Sequence, residues 1–168
     1  MKVFLRHLIF LSIILLAGCN AGELELKNGE SHVLEEMDEA ISNFIVEKYQ
    51  DMSTSTDKQF EVHKVYGTSE ENDLTHLYIW SYYAGFNIST GPEVQLGHSL
   101  PALIVLQKKE FSYEVINYIE PEDGSEWIVS LEKMFPKKYV KKAQQDAGNL
   151  GTLEREMDEK VAAWLDEQ

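Results

Sequence analysis

Glu61 and His63 alternate along the stretch Lys58–Gly67, so a strand there points both side chains to one face. The next aromatic and β-branched stretch, Leu74–Phe86, carries His76, which a hairpin can bring diagonally opposite His63. Two imidazoles and a carboxylate can ligate zinc or another divalent ion. Their spacing matches no established metal motif, and two surface or half-buried histidines account for the same residues. His98, in a glycine-containing segment, can add a third ligand or serve as a general base. His63, His76 and His98 together define one candidate activity, a small metal-dependent hydrolase. Against it, the chain has no Gly-x-Ser-x-Gly, no His-Glu-x-x-His, no phosphate loop and no helix–loop–helix calcium loop. Glu122-Asp123-Gly124 is too sparse in ligands for calcium. No cofactor is implied.

Two further groups suit binding rather than catalysis. Tyr78, Trp80, Tyr82, Tyr83 and Phe86 make an aromatic strand, and rings with a polar handle anchor partners and flat ligands. They adjoin the segment Gly85–Ser99, which carries Gly85, Gly91, Pro92 and Gly97 and reads as the longest loop. Core packing beneath C-terminal helices is the other reading of these rings. Lys133, Lys137, Lys138, Lys141 and Lys142 crowd one short stretch. They can dock on anionic headgroups, at about 1 kcal/mol per basic residue near the surface, or simply form a solvated helix face.

Location is written more plainly. Lys2 and Arg6 precede an apolar run, Leu8–Leu16, too short for a stable membrane-spanning helix. It ends in Leu16-Ala17-Gly18-Cys19, which resembles the lipobox of bacterial lipoproteins. That resemblance implies cleavage before Cys19 and a diacylglyceryl (palmitate-type) anchor on its sulfur. The membrane would then be a partner through lipid, on the extracytoplasmic side of the cell membrane. Two acyl chains hold durably where one is marginal. With the only cysteine acylated, thiolate chemistry and disulfides are excluded.

Removing Lys2 and Arg6 from the 15 basic residues leaves 13 against 29 acids, a net charge of −16 for residues 19–168. So acidic a body repels nucleic acid. The organisation expected is a signal peptide over 1–18, an acylated cysteine and tether over 19–30, and a single domain over 31–168; a short first strand through Leu24 and Leu26 is the other reading of the tether.

Ser31 can cap a helix over about 32–50, whose apolar positions Leu34, Met37, Ile41, Phe44 and Ile45 recur at helical spacing. Lys58–Gly67 and Leu74–Phe86 form a hairpin with its turn centred on Glu70 and Glu71. That register puts Leu77 and Ile79 with Phe60 and Val62 on the core face, and Glu61, His63, His76, Tyr78, Trp80 and Tyr82 on the other. Pro101–Lys108 is continuously apolar in its centre, as in a strand covered on both faces, and Phe111–Ile119 follows as a fourth strand. Helices are expected over Glu126–Met134, Lys137–Asp146 and from Thr152 to about Asp166, the last burying Leu153, Met157, Val161, Trp164 and Leu165.

The order is α+β: an N-terminal helix on a four-stranded antiparallel meander, then C-terminal helices. It resembles the cystatin-like arrangement in element order. Pro121-x-Asp123-Gly124-Ser125-x-Trp127, followed by Ser130 and Phe135-Pro136, resembles a pattern in uncharacterised extracytoplasmic proteins of Bacillus-type bacteria. That family brings no activity with it. The functional expectation is a membrane-anchored, non-enzymatic binding module whose partner is a membrane or cell-envelope protein. A cystatin-like protease inhibitor is a further alternative.

Overall fold

The computed structural model describes residues 25–53 and 56–168; the lipobox and Cys19 lie outside the described residues. The chain runs β1 (Leu26–Asn28), α1 (Glu35–Tyr49), β2 (Lys58–Glu71), β3 (Leu74–Phe86), β4 (Leu96–Lys108), β5 (Tyr113–Ile119), α2 (Trp127–Met134), α3 (Lys137–Asp146) and α4 (Gly151–Asp166). The class is α+β, as the element order implies. The sheet has five strands rather than four, antiparallel in the order β1-β2-β3-β4-β5. The additional strand, β1, takes residues expected to belong to the tether. It pairs only with Gly67–Ser69 of β2.

Helices cover both faces. Met37, Ile41, Ile45 and Tyr49 of α1 pack on Leu77, Ile79, Tyr83, Ala102, Ile104 and Leu106. Leu131, Phe135, Tyr139, Leu153, Met157 and Val161 of the C-terminal segment pack on Val62, Tyr66, Tyr78, Trp80 and Phe86 from the other side. The helices packed on the second face and β1 set this fold apart from the cystatin-like order. Each fully buried large apolar side chain is worth about 1.5–3 kcal/mol, so two cores stabilise a chain without a disulfide.

The hairpin register departs from expectation for a definable reason. The turn sits at Asn72 and Asp73, with φ of 52° and 63°. Asn and Asp tolerate that left-handed region, and such turns match the twist of paired strands. Moving the turn two residues from Glu70–Glu71 leaves every face unchanged. A bulge between Val65 and Gly67 then inserts one extra residue and inverts the faces beyond it. Val62 therefore opposes Tyr82, and Glu61 opposes Tyr83. Glu61 and His63 lie on the α1 face with Leu77, Ile79 and Ser81, whereas Phe60 and Val62 join Tyr78 and Trp80 beneath α4.

The bulge is held from the second face. A Cβ on Gly67 would collide with the Tyr139 hydroxyl and the Lys27 carbonyl. Tyr66 stacks on Tyr139 with ring centroids 6.5 Å apart and donates to Asp146 Oδ2 at 2.8 Å. At the other end of the hairpin, Gly97 lies within β4, where a Cβ would meet the Tyr83 carbonyl oxygen. The expected Gly85–Ser99 loop thus contracts to residues 87–95, because Gly85 lies within β3, packed against the Thr56 side chain, and Gly97 allows close strand approach within β4. Pro101 is tolerated in β4 because β5 pairs only from Leu103 onward, so its missing N–H faces no neighbour.

Candidate functional site

Glu61 and His63 are carried by β2, and the bulge turns both towards α1. Asp38 and Ser42, one helical turn apart on α1, meet them. The Glu61 carboxylate accepts from Ser42 Oγ at 2.8 Å, from Ser81 Oγ at 2.6 Å and from His63 Nδ1 at 3.1 Å. His63 Nε2 lies 3.2 Å from Asp38 Oδ1, an ion-pair approach without hydrogen-bond alignment. The His63 side chain is 1% exposed and that of Asp38 56%, so the imidazole bridges a buried carboxylate and a wet one.

Burial opposes the charge on both buried partners. In Glu61 it is outweighed by the attraction of His63 and by hydrogen bonds from His63, Ser81 and Ser42, and the carboxyl is held below its usual range. In His63 burial is outweighed by Glu61 and Asp38, against some repulsion from Lys160, and the imidazole is pushed up. Both shifts favour an imidazolium–carboxylate pair. Lys160 of α4 donates to the Glu61 carbonyl oxygen at 3.0 Å. The network therefore ties α1, β2, β3 and α4 together.

This arrangement does not activate a nucleophile. Activation needs a hydroxyl donating to a basic nitrogen, with the base oriented by a third group. Here both serine hydroxyls donate to Glu61 rather than to His63. His76 lies on the opposite sheet face from His63, its Nδ1 buried and unpartnered. His98 packs against Tyr49 and Tyr83, with ring centroids 4.2 and 5.3 Å away, and burial holds its imidazole below the usual value. The expected His63–His76 metal pair is thus corrected by the bulge, and the three histidines do not converge. Among the described residues, no group of three or more His, Cys, Asp or Glu side chains is arranged to hold a metal.

The aromatic strand is corrected as well. Tyr78, Trp80, Tyr83 and Phe86 are buried, and Tyr82 is partly buried. Tyr78 meets the Phe135 ring at 5.4 Å, and Trp80 Nε1 donates to Ser99 Oγ. The strand reads as aromatic throughout because its alternate residues fill two different cores. Lys137, Lys138, Lys141 and Lys142 are exposed along α3. Lys138 and Lys142 sit 4.8 and 5.7 Å from the Tyr139 ring centroid.

What opens to solvent is a groove on either side of His63. One part, about 400 Å³, is lined by Asp38, Ser42, His63, Glu156, Glu159 and Lys160. The other, about 310 Å³, is lined by Glu30, Glu35, Asp38, His63, Val65 and Glu156. Its walls are α1 and α4, and its floor is the outer edge of β2. Asp38, Ser42, Ser81 and Lys160 were not legible as site residues, because only the bulged register brings Glu61 and His63 to them. Comparison with protein families, curated proteins and solved structures finds no match to this chain.

Proposed function

We propose that this chain is a membrane-anchored extracytoplasmic lipoprotein acting as a non-enzymatic protein-interaction module. The observation that carries the reading is what gathers at one end of the sheet. Leu26 opposes Ser69, Leu74 opposes Gln107 and Lys108 opposes Tyr113. The start of the domain, the β2–β3 turn and the β4–β5 turn therefore share one end. Phe111, at the tip of the β4–β5 turn, is 86% exposed beside Lys108 and Lys109. α3 begins there too, because Tyr139 donates to the Lys27 carbonyl at 3.2 Å while Asp146 meets Lys64 further along β2. Lys137 and Lys138 thus flank the end at which a tether arrives. The six Cα–Cα steps from Cys19 to Glu25 reach at most about 20 Å, which would hold that end against the headgroups. An apolar ring flanked by lysines suits such an interface.

The non-enzymatic part is supported by Glu61 and His63 being committed to each other. The cystatin-like inhibitor alternative rests on element order and would show as inhibition of a thiol protease. The test uses intact cells fed an alkynyl palmitate analogue, followed by crosslinking and recovery of the chain. Label on the chain, lost in Cys19→Ala together with one dominant envelope partner, is the expected result. An unlabelled chain that remains in the cytoplasm overturns the proposal.

A further inference from the structure

The outer edge of β2 is only partly paired. β1 covers Gly67–Ser69, and among the described residues no strand lies beside Lys58–Val65. Two side chains show which backbone groups point outward. The Val65 N–H donates to Glu30 Oε1 at 3.3 Å, and the Glu61 carbonyl accepts from Lys160. Strand periodicity then places the peptide groups of Glu61, His63 and Val65 on the free edge. A carboxylate and an ammonium stand where the carbonyl and amide of a neighbouring strand would be. Between them, among the described residues, no side chain reaches the peptide group of His63. His63 is partly exposed as a residue although its side chain is 1% exposed, so its accessible surface is backbone. Unpaired edges of this kind are templates for another strand.

We propose that this edge is a peptide-binding site, which adds an extended cationic segment of a partner protein as a sixth strand beside β2. The proposal deepens the interaction-module reading, but its test is independent of the lipid anchor. Pairing centred on the open His63 peptide, with Lys160 and Glu30 giving up the Glu61 carbonyl and the Val65 N–H to the added strand, places that strand about 4.8 Å from β2, in the groove between α1 and α4. Main-chain bonds supply affinity in this mode, and alternate side chains supply specificity. The added strand's side chains alternate between an α1 wall bearing Glu35 and Asp38 and an α4 wall bearing Glu156 and Glu159. Among the described residues, Lys160 and the His63 imidazole are the basic groups lining the groove, against these acids and Glu30. The complement is a segment with lysine or arginine at alternating positions and small apolar residues between. A polycationic strand also suits the net charge of −14 of the whole chain.

The probe is a fluorescein-labelled heptapeptide alternating lysine and valine, added to the chain purified from its own cells in detergent micelles, whether or not it carries lipid. Anisotropy reports affinity, and hydrogen exchange reports the amides of Glu61, His63 and Val65. The expected result is binding with slowed exchange at the His63 amide, the one of the three that is open in the free chain. N-methylation of the peptide amides that face β2 should weaken binding roughly tenfold or more. The double variant Glu156→Lys/Glu159→Lys, both exposed on α4, should weaken it by a similar factor while leaving the melting temperature unchanged. Equal binding of the N-methylated peptide would reduce the effect to charge adhesion and overturn the proposal. So would absence of binding, or a dimer of the chain alone in which the His63 amide is already protected.

Discussion

Replacing Glu61 by alanine is the sharpest perturbation of the buried network. It removes the acceptor for Ser42, Ser81 and His63 Nδ1, each within 3.1 Å. Hydrogen bonds to a charged group are worth about 1.5–3 kcal/mol each, and breaking a buried ion pair costs about 3–5 kcal/mol. These figures overlap, because the His63 contact is counted in both and His63 can release its proton once unpaired. A loss of about 4 kcal/mol follows, a large share of the roughly 5–15 kcal/mol by which a domain is stable. With an m-value of about 2 kcal/mol/M, the urea midpoint should fall by about 2 M at pH 6. A fall below about 0.5 M would refute the view that the pair ties α1 to the sheet.

The pH profile supplies a second reading of the same pair. Glu61 is depressed below its ordinary 4.5, so its contribution is present above that value and is lost as pH falls through its lower folded value. His63 is raised above its ordinary 6.5, so its contribution is complete below 6.5 and is lost as pH climbs through its higher folded value. Stability from the pair is greatest between about 4.5 and 6.5, and Glu61→Gln should flatten that maximum in urea titrations taken across pH. Gly67→Ala should cost about 1–3 kcal/mol by driving a methyl into Tyr139 and Lys27, read as a lower thermal midpoint and partly restored by Tyr139→Phe. Trp80→Ala should cost about 3–5 kcal/mol in the same measurement, whereas a loss confined to partner binding would return Trp80 to a surface role. Phe111→Ser should leave the midpoint unchanged, because the ring is 86% exposed, and should weaken sedimentation of the chain with anionic vesicles.

Much of the layer plan could be read directly from spacing. Leu153, Met157 and Val161 repeat at helical intervals and are the buried stripe of α4, and Lys137–Asp146 is a helix with the bounds its composition suggests. The continuous apolar centre of β4 signalled two covered faces, because Ala102, Ile104 and Leu106 serve one core while Leu103 packs against the other. Other features depended on contacts remote in sequence. Leu26–Asn28 is too short to carry a pattern, and it is a strand only because β2 and Tyr139 receive it. Ser31 was a plausible cap, yet α1 starts at Glu35 without a side-chain cap. The bulge is fixed by Tyr139 and Asp146, about seventy to eighty positions from Tyr66 in the sequence, and a local reading of alternation has no access to it. That one inserted residue decided the faces of His63, His76 and the aromatic strand together. The candidate site was therefore half legible: Glu61 and His63 were found as a pair, and their partners were not.

The three-residue β1 also sets how the domain would carry mechanical load. A chain arriving at Leu26 from the end where β1 begins pulls along the strand axis. Force in that direction shears the pairing with Gly67–Ser69, so its bonds share the load instead of opening in succession. The Lys27–Glu70 ion pair at 2.6 Å and the Tyr139–Lys27 hydrogen bond add lateral fastening at the same point. A partner held on the neighbouring stretch of β2 would exchange tension with the membrane through two adjacent strands, leaving both cores outside the line of force.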